Sequence, residues 1–198
     1  MIRNVSLLAL VAMLAACQQP GGLDASGRGD PAPLFYAPPG TQLLLRNTID
    51  GEAKTQQIAV EPPRGPRGAY RDSDGRSGGF YPGCWGCGGE ALIQEEAYRA
   101  LWPLETGKQT TFIRRTPDGV EARVLIRVAG VQVVRTEAGT FQTFLLDGRI
   151  EHLTGPRFSA QVKAWWAPDP GWVIRAEGGD SGGSTLVSEV IGVTPAGT

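Results

Sequence analysis

The sequence predicts a mainly β protein, folded as an antiparallel curved sheet or open half-barrel with one short helix. Side chains alternate between apolar and polar along residues 159–166, which is the period of a strand with one buried face. Two Asp-Gly pairs lie between strand-like runs and are typical of hairpin turns. The 28 glycines and 15 prolines exceed what a helical bundle tolerates and fit many strands joined by turns.

Charge and composition exclude several classes of protein. The 19 Lys and Arg residues and the 20 Asp and Glu residues nearly cancel, and no basic stripe indicates a nucleic-acid partner. A structural zinc site needs four ligands, and the single histidine with the two cysteines beyond the leader would need carboxylates to complete it. We therefore predict no metal, no cofactor and no nucleic acid.

The N-terminal stretch predicts an exported, acylated protein. Arg3 precedes an apolar run at 5–16 that is too short to span ~30 Å of hydrocarbon as a helix, so residues 1–16 have the pattern of a signal peptide. The Leu-Ala-Ala-Cys sequence that ends at Cys17 resembles the lipobox of bacterial lipoproteins. This resemblance implies cleavage before Cys17 and its modification by acyl chains such as palmitate. An ordinary signal peptide followed by a chance cysteine is the alternative.

The residue after the anchor indicates which membrane holds it. In Gram-negative bacteria such lipoproteins pass to the outer membrane unless Asp follows the lipidated cysteine, and here Gln18 follows. The resemblance thus implies a lipid-anchored protein on the periplasmic face of the outer membrane. Residues 17–33 predict the lipidated cysteine and a flexible tether, which reaches on the order of 20 Å as a coil. A single β-rich domain is predicted over 34–192, with a short tail at 193–198.

Two hairpins are predicted from their turns. Residues 41–60 form strand, turn and strand around the Asp-Gly pair at 50–51, and residues 108–128 do so around the pair at 118–119. Both copies contain Arg-x-Thr-x-Asp-Gly. They are either two related hairpins of one sheet or a coincidence of short motifs.

A β-meander is predicted over residues 133–177. The Ala-Pro-Asp-Pro-Gly sequence at 167–171 ends one strand, because proline fixes φ and removes a backbone donor while glycine permits a positive φ. Trp172, Ile174 and Ala176 then resume the alternation on the next strand.

The middle of the chain predicts a long loop at 61–89, since it is rich in Pro, Gly and Arg and has no apolar period. The apolar spacing at 90–102 predicts a short helix that ends before Pro103. The loop carries more aromatic residues than a spacer needs, so we expect it to fold back over an open end of the sheet. They are Tyr70, Phe80, Tyr81 and Trp85.

Cys84 and Cys87 lie where this loop meets the predicted helix. Exported thiols meet an oxidising compartment, which favours a local disulfide, although so small a ring adds little stability through chain entropy. The alternative is a redox pair, because a helix N-terminus lowers the pKa of a thiol. Such enzymes need a βαβ setting, however, and here a Gly- and Pro-rich stretch comes before the motif.

The Gly-Asp-Ser-Gly-Gly sequence at 179–183 resembles the nucleophile loop of trypsin-like serine proteases. That chemistry needs a histidine base and an aspartate to orient it. The only histidine, His152, comes shortly before Ser181 and lacks the family's histidine motif. We interpret the sequence as a Gly-rich turn and predict that the protein is not an enzyme.

The second half of the chain resembles exported bacterial lipoproteins of an uncharacterised family. The motifs are W-P-L-x-x-G-K, A-G-T-F and W-x-x-P-x-x-G-x-V-x-R. By analogy, the resemblance extends to the curved half-barrels of the LolA/LolB lipoprotein carriers, which implies a concave face that holds acyl chains. The matching positions are Trp102, Pro103, Leu104, Gly107 and Lys108; Ala138, Gly139, Thr140 and Phe141; and Trp165 or Trp166 with Pro168, Gly171, Val173 and Arg175.

A curved sheet needs its inner face covered, so its aromatic and aliphatic side chains either form a dry core against the 90–102 helix or line a ligand cavity. The leading hypothesis is a non-catalytic, membrane-anchored protein that binds an apolar, lipid-like ligand or an envelope protein partner. The alternatives are a structural or assembly lipoprotein with a solid core, and thiol–disulfide activity at Cys84 and Cys87. The candidate lining residues are Phe141, Leu145, Val162, Trp166, Trp172 and Ile174.

Overall fold

The computed structural model describes residues 29–84 and 86–197 and confirms the predicted fold class. All 11 described strands form one open antiparallel sheet, in the order β4-β3-β2-β1-β11-β10-β9-β8-β7-β6-β5. The predicted signal peptide, Cys17 and Trp85 lie outside the described residues. The strands are β1 (Gln42–Ile49), β2 (Glu52–Arg64), β3 (Arg67–Asp72), β4 (Ser77–Phe80), β5 (Leu92–Ile93), β6 (Gln109–Arg115), β7 (Glu121–Thr136), β8 (Gly139–His152), β9 (Ser159–Ala167), β10 (Trp172–Asp180) and β11 (Thr185–Thr194), with helix α1 at Glu95–Arg99.

Both predicted hairpins are confirmed. Asp50 and Gly51 have φ angles of 50° and 87°, the left-handed conformation that a two-residue turn of matching twist requires. The turn joins β1 to β2 with residues paired from Ile49 and Glu52 outward. The second hairpin joins β6 to β7, so the two hairpins belong to the same sheet at separate places.

The alternation along β9 is also confirmed. Ala160, Val162, Ala164 and Trp166 are all buried, whereas the intervening side chains are exposed or half-buried. The prediction for β10 needs a correction. Val173 pairs with Trp166 on β9, but the next residue of β10 to pair, with Trp165, is Arg175. This bulge leaves Ile174 as an extra residue and shifts the alternation that follows it.

The predicted loop at 61–89 is wrong over about half of its length, because β2 extends to Arg64 and β3 and β4 follow. Glycine is needed in these strands where the side chain of a neighbouring residue packs directly over its backbone. A Cβ on Gly78 would collide with the ring of Tyr70, and one on Gly79 would collide with the guanidinium group of Arg67. Glycine here is therefore a packing requirement, which composition alone cannot distinguish from a loop.

The predicted helix at 90–102 is also wrong in extent. Leu92–Ile93 pairs with β6 as a short edge strand, and only Glu95–Arg99 is helical. Leu92 is exposed, whereas Tyr98 and Leu101 are fully buried in the core. The core thus receives one turn of helix followed by an irregular segment.

Both boundaries of the predicted domain shift outward. Ala32, placed in the tether by the sequence, is buried, and it exchanges backbone hydrogen bonds of 3.1 and 2.7 Å with Leu104. Tyr36 continues the same segment and packs edge-on against Trp166 at 5.5 Å between ring centroids. At the other terminus Val193, placed in the tail, lies on β11 and packs against the core.

The long hairpin of β7 and β8 packs across the face of the sheet opposite to the one that buries Trp166. Trp165 donates its indole N–H to the Oε1 atom of Gln132 over 2.8 Å. Arg46 on β1 forms an ion pair of 2.7 Å with Glu137 near the hairpin turn. The distal part of the hairpin is therefore fixed against strands distant in sequence. Among the described residues, the one helix is far too short to cross a bilayer.

Candidate functional site

An open cavity of about 370 Å³ lies on the concave face of the sheet; we call it the concave cavity. Its floor is made by residues from β1, β2, β3, β9, β10 and β11, since the curvature of the sheet brings their inward side chains together. Its volume lies within the range common for small-molecule sites. The main floor residues are Leu45, Ile58, Tyr70, Val162, Ala164, Val173, Ala176 and Leu186.

A roof over one side of the concave cavity comes from residues 80–84 and Gly86. The ring of Phe80 lies 4.3 Å from that of Trp172. Tyr98 donates its hydroxyl hydrogen to the carbonyl oxygen of Pro82 over 3.3 Å. These contacts tie the roof both to the floor and to the segment around α1.

Cys84 and Cys87 are joined by a disulfide bond in the roof. Cys87 is fully buried, and Cys84 contributes to the lining of the concave cavity. The helix α1 begins only at Glu95, after a short strand. The motif therefore does not open a helix, and the condition that favoured a low thiol pKa is not met.

No charged side chain lines the concave cavity among the described residues. Asn47, Gln56 and Ser188 supply polar groups toward one end. The amide of Gln56 also contacts the carboxylate of Asp72 at 3.5 Å, although Asp72 is not a lining residue. Burial raises the pKa of Tyr81 above its ordinary value near 10, and its phenol is neutral at physiological pH in either case. A cavity with an apolar body and amide groups toward one end suits a ligand with an apolar portion and an uncharged polar group.

A second cavity of about 560 Å³ lies where the described chain begins; we call it the entry cavity. Residues 30–33 form one wall, and the turn between β9 and β10 forms another. Phe141, Phe144 and Val193 add apolar surface. No group of His, Cys, Asp and Glu residues able to hold a metal ion occurs in the described part of the chain.

The six candidate lining residues do not share one site, and five of them lie in the concave cavity, the entry cavity or the buried core. Val162 and Trp172 line the concave cavity, and Phe141 lines the entry cavity. Trp166 and Ile174 are fully buried in the core.

Leu145, the remaining candidate, pairs with Trp165. Paired residues share a face of the sheet and successive residues alternate, so Leu145 and Trp165 lie on the face opposite to Trp166. On that face the indole of Trp165 forms a hydrogen bond with Gln132 of β7. Sequence reasoning missed Leu45 and Ile58 as lining residues. The alternation within the first predicted hairpin was the signal that could have identified them.

The Gly-Asp-Ser-Gly-Gly sequence forms the turn between β10 and β11, as predicted. The Oγ atom of Ser181 accepts a hydrogen bond of 3.1 Å from the backbone N–H of Ser159. The ring of His152 instead contacts the carbonyl oxygen of Pro156 at 3.0 Å. Each side chain therefore has a local structural partner.

Comparisons with known proteins show the fold. No family model and no curated protein matches the chain. The structure is similar to that of the hypothetical lipoprotein YmcC from Escherichia coli K12, with a TM-score of 0.50, 9% identity, and coverage of 79% of this chain and 88% of that chain.

Two further solved structures are each 12% identical with TM-scores of 0.48. One is a protein of YmcC-like fold described as exported, from Bacteroides fragilis, covering 82% of this chain and 99% of that chain. The other is described as a lipoprotein from Parabacteroides distasonis, covering 83% of this chain and 100% of that one. The likeness to YmcC, at 9% identity, shows a shared fold alone.

Proposed function

We propose that this protein is a non-catalytic lipoprotein of the bacterial envelope whose concave cavity binds the apolar portion of a lipid-like ligand. Acyl chains on Cys17 hold it in the outer membrane, with the domain on the periplasmic face. The lipobox-like sequence supports the anchor. YmcC, a hypothetical lipoprotein whose fold this chain shares, supports an envelope location.

One observation carries the ligand proposal: the concave cavity is open to solvent and lined without a charged side chain among the described residues. Exposed apolar surface of this kind is costly in water unless something covers it. A ligand with an acyl-like portion would bury it, and the amide side chains of Asn47 and Gln56 at one end would meet an uncharged polar group. The cavity also favours ligand binding over a role based on a solid core.

An uncharged fluorescent fatty-acid analogue, esterified at its carboxyl group, tests this proposal on residues 18–198 exported behind an ordinary cleavable signal peptide. We expect saturable binding, and at least a tenfold loss of affinity in Ser188→Phe, because Ser188 lines the concave cavity and the new ring would fill it. Val187→Phe is the matched control, since Val187 is the exposed neighbour on the same strand. Equal affinities in the two variants would disprove binding in the concave cavity.

Fractionation of cells tests the location separately. The full chain is expected in the outer-membrane fraction, and residues 18–198 exported behind an ordinary cleavable signal peptide are expected in the soluble periplasm. Recovery of both proteins in the same fraction would contradict the proposed lipid anchor, whatever the result of the binding assay.

A further inference from the structure

We propose that the entry cavity shelters one of the acyl chains attached to Cys17. The inference rests on the proposed acylation of that residue and extends it, because one of the acyl chains would bind within the protein and not in the membrane. The concave cavity then remains for a separate ligand.

The walls of the entry cavity have the chemistry of an acyl-chain site. Phe141, Phe144 and Val193 supply apolar side chains, and several prolines line the remaining wall. Proline has no backbone N–H, so this wall presents few hydrogen-bond donors that an alkyl chain would leave unpaired. The prolines are Pro31, Pro33, Pro168, Pro170 and Pro195.

The charges around the entry cavity select among acyl compounds. Asp30 and Asp169 both border it, and both are exposed to solvent. These carboxylates repel the carboxylate of a free fatty acid and the headgroup of an anionic lipid. A chain attached through a neutral ester or amide, as on a lipidated cysteine, meets no such repulsion.

The position of the entry cavity favours the protein's own anchor over other sources. Asp30 follows Cys17 by only 13 residues, which could span at most about 45 Å if fully extended. Tethering over this distance gives an effective concentration in the millimolar range. The wall itself is fixed, because Ala32 is held to Leu104 by two backbone hydrogen bonds.

Photocrosslinking of the full-length chain tests the inference. Cells are grown with a palmitate analogue that carries a diazirine and an alkyne, their membranes are irradiated, and the purified protein is digested for mass spectrometry. We expect a crosslink between the acylated Cys17 peptide and a peptide containing Phe141 or Pro168. Ala138→Trp places a large side chain in the entry cavity and should reduce that crosslink at least fivefold. Ala53→Trp, an exposed alanine near the first hairpin turn, should leave it unchanged.

The outcomes separate this inference from the proposed function. A protein that incorporates no label at Cys17 would overturn both the anchor and the sheltered chain. Label at Cys17 without crosslinks to the entry cavity would overturn the sheltered chain alone. Crosslinks in which a phospholipid, rather than the Cys17 peptide, is joined to the cavity would show that a bilayer lipid occupies it and would also overturn the inference.

Discussion

The guanidinium group of Arg114 on β6 donates a hydrogen bond of 2.7 Å to the carbonyl oxygen of Gly86. Arg114 is only 7% exposed, and its desolvation lowers its pKa from the ordinary value. Gly86 itself is exposed at the edge of the roof. This bond therefore links a buried cation in the sheet to the segment that covers the concave cavity.

Replacing Arg114 by Met should increase local opening of the roof while lowering the global free energy of unfolding only slightly. Water can satisfy the exposed carbonyl of Gly86, and removal of a buried charge offsets part of the lost bond, so we expect a loss of about 1 kcal/mol in unfolding free energy. Hydrogen exchange of the amides of 82–88 should accelerate beyond the global change. Arg123→Met is the control, because Arg123 makes an exposed pair of 3.9 Å with Glu151, and its loss should be at most ~0.5 kcal/mol. Unchanged exchange in the Arg114 variant would mean that the bond does not hold the roof.

Gly148→Ala tests how closely the roof lies on the sheet. A Cβ on Gly148 would collide with the carbonyl oxygen of Gly83 and approach Val162 to 2.9 Å. Overpacking of this kind costs about 1–3 kcal/mol, and urea unfolding should show a loss in that range together with weaker binding of the fluorescent fatty-acid analogue.

Gly130→Ala is the matched variant for that experiment. Gly130 lies on the neighbouring strand β7, and a Cβ there would meet nothing within 4 Å. Removing glycine from a strand should stabilise the protein by roughly 0.5–1 kcal/mol. If both variants were equally stable, the roof would not be seated on β8 as described.

The parts of the fold that the sequence predicted correctly are those with local causes. The Asp50-Gly51 pair takes its positive φ angles from the chemistry of those two residues, and the alternation along 159–166 reflects one buried face. The strand that contains Gly78 and Gly79 could not be predicted, because glycine is required there by the side chains of Tyr70 and Arg67, which lie across it only once β3 and β4 pair.

The candidate site was half predicted for a similar reason. Val162 and Trp172 were identified because their alternation is local, and Leu145 was misplaced because no local signal tells which face of a strand points inward. The bulge at Ile174 has no sequence signal either, since it depends on the register against β9. The cavities follow from the curvature of the whole sheet.

Alkaline pH should unfold the protein through two buried phenols. Burial raises the pKa of Tyr36 and that of Tyr98, whose side chain is fully buried. Both groups stay neutral in the folded state while their unfolded counterparts ionise near pH 10. Their contribution is thus intact below pH 10 and is lost as pH rises above it, by up to about 1.4 kcal/mol per pH unit for each tyrosine.

Urea unfolding between pH 8 and 12 measures that slope. Tyr36→Phe should reduce it by about one proton per molecule, at the cost of the hydrogen bond of 2.8 Å from the Tyr36 hydroxyl to the carbonyl oxygen of Pro66. Tyr70→Phe is a control with a half-buried ring. The same steepness in wild type and Tyr36→Phe would show that Tyr36 ionises freely in the fold.

The Cys84–Cys87 bond is expected to be structural. Intact mass of the exported protein should be lower by two hydrogens than the thiol form, and a maleimide should modify neither cysteine in denaturant until a reductant is added. Since Cys87 is fully buried and no helix begins at the motif, we expect no catalysis of insulin reduction. The double variant Cys84→Ser/Cys87→Ser should lose at most about 2 kcal/mol, because the ring closed by the bond is small. It should bind the fluorescent fatty-acid analogue more weakly, since the roof is no longer stapled. Ready turnover of insulin by the wild type, abolished in the double variant, would instead establish thiol–disulfide exchange as the activity of this site.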